Sequence, residues 1–252
     1  MFRNIVITGA SSGLGEVLAL HYSNPDVTLG LTGRNPERLA RVAGDCRRKG
    51  AVTETALIDV QQRNVLESWL LQFDDRHPVD LIIANAGVLS SVSSNHLGES
   101  LEAIADIINI NFIGAIASVN PLLERMRDRR RGSIAVISSL SAYRGIPRMP
   151  AYAASKSALK SYFEAIRPVC ASNNIAISVV CPSYIMTPMN NRGASGIKLS
   201  LSADRAAEII ETGINKKAAL IVFPYSHLLG IRLLQLLPEK LSDYVLYKLL
   251  RL

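Results

Sequence analysis

Residues 4–15 read NIVITGASSGLG, and this stretch decides the fold. Residues 5–8 form a short apolar run typical of a β-strand, and a glycine-rich turn follows at once. Glycine lets the backbone turn tightly and approach a bound group without a clash from Cβ. A helix is predicted to begin at Gly13, where its free N–H groups would face an anion in the turn. The stretch therefore predicts a site for a dinucleotide pyrophosphate at the first strand–helix junction.

The alternation of strand and helix continues through most of the chain. The predicted strands are apolar throughout, as expected for strands covered on both faces. They span residues 5–8, 28–32, 52–57, 81–84, 134–138, 177–181 and 220–223. The predicted helices lie between them, at residues 13–23, 36–49, 65–76, 101–127, 152–171 and 203–215. This order predicts a parallel sheet with right-handed crossovers, within one domain that spans residues 1–252.

The composition is that of a globular protein. The 252 residues are 48% hydrophobic and 19% charged, which excludes a largely disordered chain. Cys46, Cys170 and Cys181 show no metal-ligand or redox spacing and favour free thiols in a reducing compartment. No secretory signal is expected, because the first residues enter a strand directly. The sequence predicts a cytoplasmic location and no metal site.

Two segments raise the question of a membrane or a nucleic acid. Residues 107–123 carry no charge, but three asparagines and a proline there favour a buried core helix over a membrane span. The net charge is +7, and five arginines crowd residues 125–131. No aromatic side chain interleaves them and no nucleic-acid motif accompanies them. A solvated helix end is therefore the preferred interpretation, with no nucleic-acid partner.

Tyr152 and Lys156 lie four residues apart and share one face of a predicted helix. A phenol normally holds its proton until about pH 10. A fixed ammonium nearby favours the phenolate, so Tyr152 is expected to exchange a proton near neutral pH. Ser139 ends the fifth predicted strand, where its hydroxyl would hydrogen-bond a substrate oxygen as negative charge develops. With a dinucleotide bound, these residues indicate hydride transfer to or from a carbonyl or alcohol carbon.

The ends of other strands supply candidate coenzyme contacts. Arg34 follows the second strand, where an acid would hold the ribose 2′-hydroxyl of NAD, and an arginine instead suits a 2′-phosphate. Asp59 suits the adenine amino group or caps a helix. Residues 85–87, Asn-Ala-Gly, leave room for the adenine ribose, although Asn85 also suits a tie between strands. Asn111 lies in an apolar helix, where a buried amide needs partners and is more often structural than catalytic.

Over residues 3–223 the chain resembles the short-chain dehydrogenase/reductase family. The glycine pattern at 8–15, Asn-Ala-Gly at 85–87, Asn111, Ser139 and Tyr-x-x-x-Lys at 152–156 stand in family order and spacing. The resemblance implies an α/β, Rossmann-like doubly wound sheet of seven parallel strands with helices on both faces. It also implies assembly as a homodimer or homotetramer. Because of Arg34, the sequence favours NADP(H) as the coenzyme, with NAD(H) as the alternative.

The resemblance further implies a catalytic tetrad of Asn111, Ser139, Tyr152 and Lys156. Tyr152 would be the acid in reduction and the base in oxidation, and Ser139 would orient the carbonyl. Lys156 would hold the nicotinamide ribose and lower the pKa of Tyr152, and Asn111 would hold a water that links Lys156 to solvent. The implied coenzyme-binding residues are Gly9, Ser11, Ser12, Gly13, Leu14, Gly15, Arg34, Asp59, Val60, Asn85, Ala86, Gly87, Tyr152, Lys156, Pro182, Ser183 and Thr187.

The chain departs from the family pattern at two positions. Ser183 stands where the family often has glycine after the sixth strand, and would reshape the floor beneath the nicotinamide. Ser12 stands where NADP-binding members often have lysine or arginine, which leaves Arg34 as the main argument for NADP. Residues 186–201 are rich in Gly, Asn, Ser and Pro, and are predicted to form a mobile loop over the substrate.

Residues 226–252 form a strongly hydrophobic tail, predicted as two short helices divided by Pro238. In the second helix a polar stripe opposes an apolar face. Its apolar face is Leu241, Val245, Leu246, Leu249 and Leu252, and its polar stripe is Lys240, Asp243, Tyr247, Lys248 and Arg251. Such a tail packs against protein, at a substrate pocket or a subunit contact, lies at a membrane interface, or is disordered.

The sequence therefore predicts an NADP(H)-dependent oxidoreductase that acts on a carbonyl or secondary alcohol of a small molecule. The hydrophobic tail, with Met186 and Met189 in the loop, favours an apolar or bulky substrate. Two alternatives stay open at this point. One is a dinucleotide-binding sensor without turnover, which the presence of Tyr152 and Lys156 disfavours. The other is a membrane-recruited scaffold anchored by the tail.

Overall fold

A computed structural model describes residues 2–89, 92, 97–186 and 201–250. For residues 249 and 250 it describes the backbone alone. Seven parallel strands form the main sheet: β1 Asn4–Ile7, β2 Thr28–Gly33, β3 Val52–Leu57, β4 Leu81–Ala84, β5 Gly132–Ile137, β6 Ile175–Pro182 and β9 Leu220–Phe223. Their order across the sheet is β3-β2-β1-β4-β5-β6-β9. The chain thus starts near the middle and winds outward in both directions, which confirms the predicted doubly wound fold.

Helices cover both faces of this sheet. Their bounds are α1 Gly13–Tyr22, α2 Pro36–Arg48, α3 Arg63–Arg76, α4 Leu101–Ile108, α5 Gly114–Arg129, α6 Pro150–Ser172, α7 Ala203–Asn215, α8 Tyr225–Gln235 and α9 Glu239–Leu250. One apolar layer packs α1, α2 and α7 against the sheet, and a second packs α3, α5 and α6 against the other face. Within β1, Ile5 and Ile7 enter the first layer and Val6 the second. Side chains that alternate between two buried layers explain why this strand is apolar throughout.

Two elements differ from the sequence-based prediction. The strand β3 lies at the edge of the sheet, and Val52 and Leu57 are exposed, so this strand is not covered on both faces. The single helix predicted over 101–127 is divided. A π-helical turn at Asn109–Ile113 separates α4 from α5. The segment predicted as a core helix therefore contains a local widening, which places Asn111 inside the protein.

The run Leu101–Arg129 is the helical segment, within the described part of the chain, whose length and composition would suffice to cross a membrane. Its most apolar window is 39% buried, and Val119, Leu122 and Met126 lie fully inside the second apolar layer. Core helices of globular proteins meet the same test of length and composition.

The five arginines near the end of α5 all contact neighbouring groups. The Arg129 guanidinium makes two hydrogen bonds of 2.6 and 2.9 Å to the buried Asp74 carboxylate, and Arg130 reaches the Ser172 carbonyl. The other three form ion pairs, Arg125 with Asp75, Arg127 with Glu124 and Asp128, and Arg131 with Asp80. The basic run is therefore largely neutralised by acids of the same protein, as a solvated and paired helix end would be.

A second, two-stranded parallel sheet pairs β7 Ile185–Met186 with β8 Leu201–Ser202. Its strands flank the segment predicted as a loop over the substrate, and residues 187–200 of that segment lie outside the described residues. Both ends of the segment are nevertheless held, because β8 leads directly into α7.

The tail forms α8 and α9, and each is attached to the body. Leu228 of α8 enters the second apolar layer, and the Gln235 amide donates to the Tyr143 carbonyl. Asp243 of α9 forms an ion pair with Arg144. The predicted apolar face of the second helix is only partly inward, since Val245 and Leu246 are half-buried and Leu241 is exposed.

Candidate active site

A cleft of about 1170 Å³, including the part open to solvent, lies at the carboxyl ends of the central strands. In doubly wound sheets ligands bind at this edge, where the strand order reverses. Its lining comprises Gly9, Ser11, Ser12, Gly13, Leu14, Gly33, Arg34, Ile58, Asp59, Val60, Asn85, Ala86, Gly87, Val88, Ile110, Ile137, Ser138, Ser139, Tyr152, Lys156, Pro182, Ser183 and Ile185. Most residues predicted to hold a coenzyme thus meet in one cleft.

The glycine-rich turn forms a close-packed cradle at one wall of the cleft. Gly9 and Gly13 adopt positive φ angles of 67° and 61°, which glycine tolerates best. A Cβ on Gly15 would come within 2.4 Å of both the Asn85 amide nitrogen and the Gly9 carbonyl oxygen. Ser12 is the N-cap of α1 and makes no side-chain capping hydrogen bond. The first N–H groups of α1 therefore suit an anion, such as a pyrophosphate.

Asn85 ties the end of β4 to this turn. Its amide donates to the carbonyls of Thr8 and Gly9, at 3.0 and 3.2 Å. The Thr8 hydroxyl in turn accepts from the backbone N–H groups of Asn85 and Ala86. The structural role that the sequence left open for Asn85 is therefore present, and the residue lines the cleft as well.

Ser139 and Tyr152 meet at the opposite wall. Ser139 lies two residues after the end of β5 and is the N-cap of a short 3-10 turn. Tyr152 lies in the first turn of α6, where Pro150 stands at the start of the helix. Burial raises the pKa of the Tyr152 phenol, and a hydrogen bond with Ser139 opposes that rise. The chain by itself thus holds the phenol protonated, rather than lowering its pKa as the sequence suggested.

Lys156 lies one turn further along α6 and is only 4% exposed. Its Nζ donates to the Ile137 carbonyl at 2.8 Å and lies 5.8 Å from the centre of the Tyr152 ring. Burial lowers the pKa of this amine to about 8, because a charged group loses solvation inside the protein. The amine is therefore fixed beside the phenol ring but directed at the backbone of β5.

Asn111 lies behind the cleft in the π-helical turn, fully buried. Its amide exchanges two hydrogen bonds with the backbone of Val88 and donates a third to the Ser155 hydroxyl at 3.1 Å. A Cβ on Gly87 would lie 3.2 Å from the Asn111 Oδ1 and 3.6 Å from the Lys156 Nζ. Asn111 thus links β4 to α6 and approaches Lys156 across a position that has no side chain.

Arg34 and Asp59 face each other at the far end of the cleft. The side chain of Arg34 is 61% exposed, and its guanidinium lies 3.4 Å from the Asp59 carboxylate. Asp59 also accepts from the N–H of Gln61 in the turn before α3, but the N-cap of that helix is Gln62, so Asp59 is not the helix cap that the sequence offered as its alternative role. Pairs this exposed contribute about 0–1 kcal/mol, so Arg34 is free to exchange Asp59 for another anion.

Two of the predicted residues stand apart from the cleft. Gly15 packs beneath the turn and Asn111 lies behind the wall, so neither lines it. Thr187 lies outside the described residues. Within the described part of the chain, no group of three or more His, Cys, Asp or Glu side chains is placed to hold a metal ion.

Sequence reasoning missed several lining and supporting residues. Ser138 was passed over in favour of its neighbour, yet its hydroxyl donates to the Lys156 carbonyl at 2.9 Å and so fixes α6 to β5. The apolar lining residues Ile58, Ile110 and Ile185 carry no chemical signal in the sequence. The Nδ1 of His227 in α8 lies 2.8 Å from the hydroxyl of Ser183, a contact for which the sequence has no motif. That contact joins the tail to the floor of the cleft.

The known proteins to which this chain is similar are described as dehydrogenases or oxidoreductases. A solved structure of a short-chain dehydrogenase from Sphingobium yanoikuyae, in complex with NADPH, superposes with a TM-score of 0.81 over 94% of this chain and 96% of its own, at 20% identity. A Myxococcus xanthus protein described as an uncharacterized oxidoreductase is 28% identical over 96% of this chain and 95% of its own. An Arabidopsis thaliana protein described as 11-beta-hydroxysteroid dehydrogenase-like 2 is 32% identical over 96% of this chain and 80% of its own.

The family model for short chain dehydrogenases matches residues 3–197, which include the glycine-rich turn, Asn111, Ser139, Tyr152 and Lys156. The match covers the sheet from β1 to β6 and every residue of the predicted tetrad. The chain belongs to the short-chain dehydrogenase/reductase family of NAD(P)-binding oxidoreductases.

Proposed function

We propose that the protein is an NADP(H)-dependent oxidoreductase that transfers hydride between the nicotinamide and a carbonyl or secondary alcohol. The observation that carries this proposal is that Ser139, Tyr152 and the buried Lys156 line the same cleft as the glycine-rich turn. A phenol and a hydroxyl that face one cleft can bind a single substrate oxygen between them.

The cleft has the features that a dinucleotide requires. Gly9 and Gly15 leave no room for side chains where the backbone turns, and α1 begins with uncapped N–H groups. These residues would hold the pyrophosphate, while Lys156 would bind the hydroxyls of the nicotinamide ribose. When bound, the coenzyme supplies or accepts the hydride, chemistry that no side chain of the protein provides.

The side chains handle the proton. In reduction, Tyr152 would donate its phenolic proton to the substrate oxygen as negative charge develops there, and Ser139 would hold that oxygen in place. The raised pKa of Tyr152 keeps this proton available at neutral pH, which suits the acid role. Lys156, with a pKa of about 8, carries a positive charge in most molecules at pH 7 and would favour the phenolate left behind.

Replacing Tyr152 with phenylalanine tests the proposal. The expected result is unchanged NADPH affinity with turnover lowered by at least about 10²-fold, the contribution typical of a general acid. Tyr162→Phe is a matched control on the same helix, since Tyr162 packs edge-on against Phe112 and lies outside the cleft lining. Turnover near that of the wild type in Tyr152→Phe would refute the assigned role.

The preference for NADP rests on Arg34. This guanidinium stands at the end of β2, lines the cleft and is held only by a long contact to Asp59. It is therefore available to a 2′-phosphate, which NADP has and NAD lacks. The related Sphingobium protein has a structure with NADPH, which agrees with this direction. Titrating the protein with NADPH and with NADH would measure the preference directly.

The proposed substrate belongs to the small molecules, as opposed to macromolecules, and is apolar or bulky. Val88, Ile110 and Ile185 line the cleft, and the related Arabidopsis protein is named for a hydroxysteroid. We expect turnover to rise with chain length in a series of ketones, and equal turnover of small polar and long apolar ketones would contradict this. A homodimer or homotetramer in the cytoplasm, with peripheral membrane contact through the tail, completes the proposal.

A further inference from the structure

The helix α8 has apolar residues on the side that is turned away from the protein as well as on its inner side. Residues at positions 225, 229, 233 and 236 share one face of a helix, because they are spaced four, four and three apart. These positions are Tyr225, Leu229, Leu233 and Leu236, and all four are exposed, Leu236 by 81%. An ordinary surface helix buries its apolar stripe and exposes polar residues. In α8 the inner side is apolar, with Leu228 and Ile231 at the second apolar layer, and the outer side is apolar too.

The opposite face of α8 is occupied by the rest of the protein. His227 contacts Ser183 at the floor of the cleft, Leu228 enters the apolar layer, and Gln235 donates to the Tyr143 carbonyl. Tyr143 follows the short 3-10 turn that begins after Ser139. The inner side of α8 therefore contacts Ser183 of the cleft lining at one end and Tyr143 at the other, and the exposed leucines lie on the opposite side of the helix.

The helix α9 extends the exposed surface and changes its chemistry. Ser242 is buried, and Asp243 is paired with Arg144, so these positions fix the side that faces the body. The outward side presents Tyr244 and Tyr247, each 57% exposed, together with Lys240 and Lys248. Leu237 and Leu241 connect this side to the leucines of α8, while Glu239 is the one unpaired acid among the described residues of the tail.

We infer that the outer faces of α8 and α9 dock on an anionic lipid bilayer. Leucines that enter the acyl boundary, tyrosines at the headgroup level and lysines against anionic headgroups are the composition of an interfacial helix. A subunit interface is the weaker interpretation, because lysine is depleted from the cores of protein interfaces. This inference specifies the surface and the lipid for the membrane contact proposed above, and it does not depend on the catalytic assignment.

The consequence for the proposed function is a short path between lipid and cleft. Because one helix carries the docking leucines outside and contacts Ser183 and Tyr143 inside, a docked protein would hold its substrate site close to the bilayer surface. An apolar substrate dissolved in the membrane would then reach the cleft without crossing much water.

Flotation of the purified full-length protein with vesicles tests the inference. We expect it to float with phosphatidylcholine vesicles that contain 30% phosphatidylserine, and at least about ten-fold less with phosphatidylcholine alone. Added salt should release it, since exposed charges are screened beyond about 10 Å at 0.1 M. Failure of the wild type to float with the anionic vesicles would overturn the inference, whether or not the protein turns over ketones.

Leu229→Glu with Leu233→Glu should lower flotation by at least about ten-fold, because each change puts an anion into the docking face. A matched control is Val65→Glu with Val169→Glu, since these residues are similarly exposed on α3 and α6. The control should float like the wild type, and both variants should keep the wild-type circular dichroism spectrum and NADPH affinity. Equal flotation of the two variants would contradict the inference.

Two further measurements separate the bilayer from other occupants. Lys240→Ala with Lys248→Ala is expected to weaken flotation with anionic vesicles while leaving turnover of a water-soluble ketone unchanged. Sedimentation of the wild type and of Leu229→Glu with Leu233→Glu would show whether the face instead joins two copies of the chain. Loss of a dimer in that variant, without any flotation of the wild type, would assign the face to self-association and refute docking on lipid.

Discussion

The two ends of the cleft are built in opposite ways. At the catalytic end, Lys156 is 4% exposed and hydrogen-bonds a backbone carbonyl of the central sheet. At the adenosine end, the side chain of Arg34 is 61% exposed, and its contact with the Asp59 carboxylate is long, at 3.4 Å. The first end is therefore positioned by the fold itself, whereas the second depends on side chains that solvent surrounds. Changes at the first should alter rate by orders of magnitude, and changes at the second should adjust coenzyme affinity.

The largest effect is expected from Ser139→Ala. Loss of one hydroxyl that stabilises developing negative charge costs about 10²–10³ in kcat, and coenzyme affinity should stay the same. Steady-state kinetics with a ketone substrate and NADPH would measure this. Ser141→Ala is a neighbouring control, since the buried Ser141 hydroxyl contacts no partner among the described residues. If both variants lose the same rate, the loss would reflect the turn as a whole rather than Ser139.

Lys156→Met should stabilise the protein while inactivating it. Burial lowers the pKa of the Lys156 amine from 10.5 to about 8, which means that the charged amine lowers the free energy of unfolding of the wild type by roughly 3 kcal/mol. The variant is freed of this cost but loses the hydrogen bond of Lys156, which contributes about 1 kcal/mol. Because the folded state binds the proton less tightly, this cost is complete below pH 8 and fades as the pH rises toward 10.5.

Urea unfolding of wild type and Lys156→Met would check the sign. The free energy of unfolding of the variant should exceed that of the wild type at pH 7, and the difference should shrink by pH 9.5. A difference that grows with pH would contradict the lowered pKa of Lys156.

Arg34→Ala should act on one coenzyme alone. We expect NADPH affinity to fall by about ten-fold, equivalent to 1.4 kcal/mol, with NADH affinity unchanged. Arg205→Ala is a matched control, because Arg205 is equally exposed but lies in α7 with Glu208 as its partner. Binding measured by fluorescence titration would decide the point. A selectivity between NADPH and NADH that the substitution leaves intact would remove the argument for NADP.

Asp59→Asn should have the smallest effect and the opposite sign. Asparagine keeps an oxygen for the Gln61 N–H but removes a carboxylate that holds Arg34 and would repel a phosphate. We expect NADPH to bind a few-fold more tightly, within the range of about 1 kcal/mol for exposed pairs. The same titrations with NADH provide the comparison. Weaker binding of both coenzymes would instead indicate that Asp59 contacts the adenine.

The fold and the catalytic wall could be predicted because their signals are local. Strand–helix alternation marks the sheet, and spacing along one helix places Tyr152 and Lys156 on one face. Asn111 was identified, but the π-helical turn that carries it was not, because helical periodicity does not reveal one extra residue in a turn. The hydrogen bond that directs Lys156 to Ile137 depends on how α6 packs on β5, which no short motif encodes.

The tail shows the limit of amphipathic patterns. The pattern predicts which residues of a helix share a face but not whether that face turns toward protein. In α9, Val245 and Leu246 turn partly inward as an apolar face would, while Lys240, Tyr247 and Lys248 of the polar stripe lie on the exposed side. In α8 the longest row of leucines is the outer one. The packing of Leu228 and the contacts of His227 and Gln235 set the orientation of α8. These are tertiary contacts, which the pattern of one helix does not contain.

The contact between His227 and Ser183 changes how the end of the chain should be regarded. The family match ends at residue 197, so the last two helices look like an appendage that a shorter version could omit. Yet His227 contacts Ser183 at the floor of the cleft, and the next residue, Leu228, is buried in the second apolar layer. A chain cut after Phe223 would lose both contacts, so we expect α8 to be needed for a stable floor of the cleft.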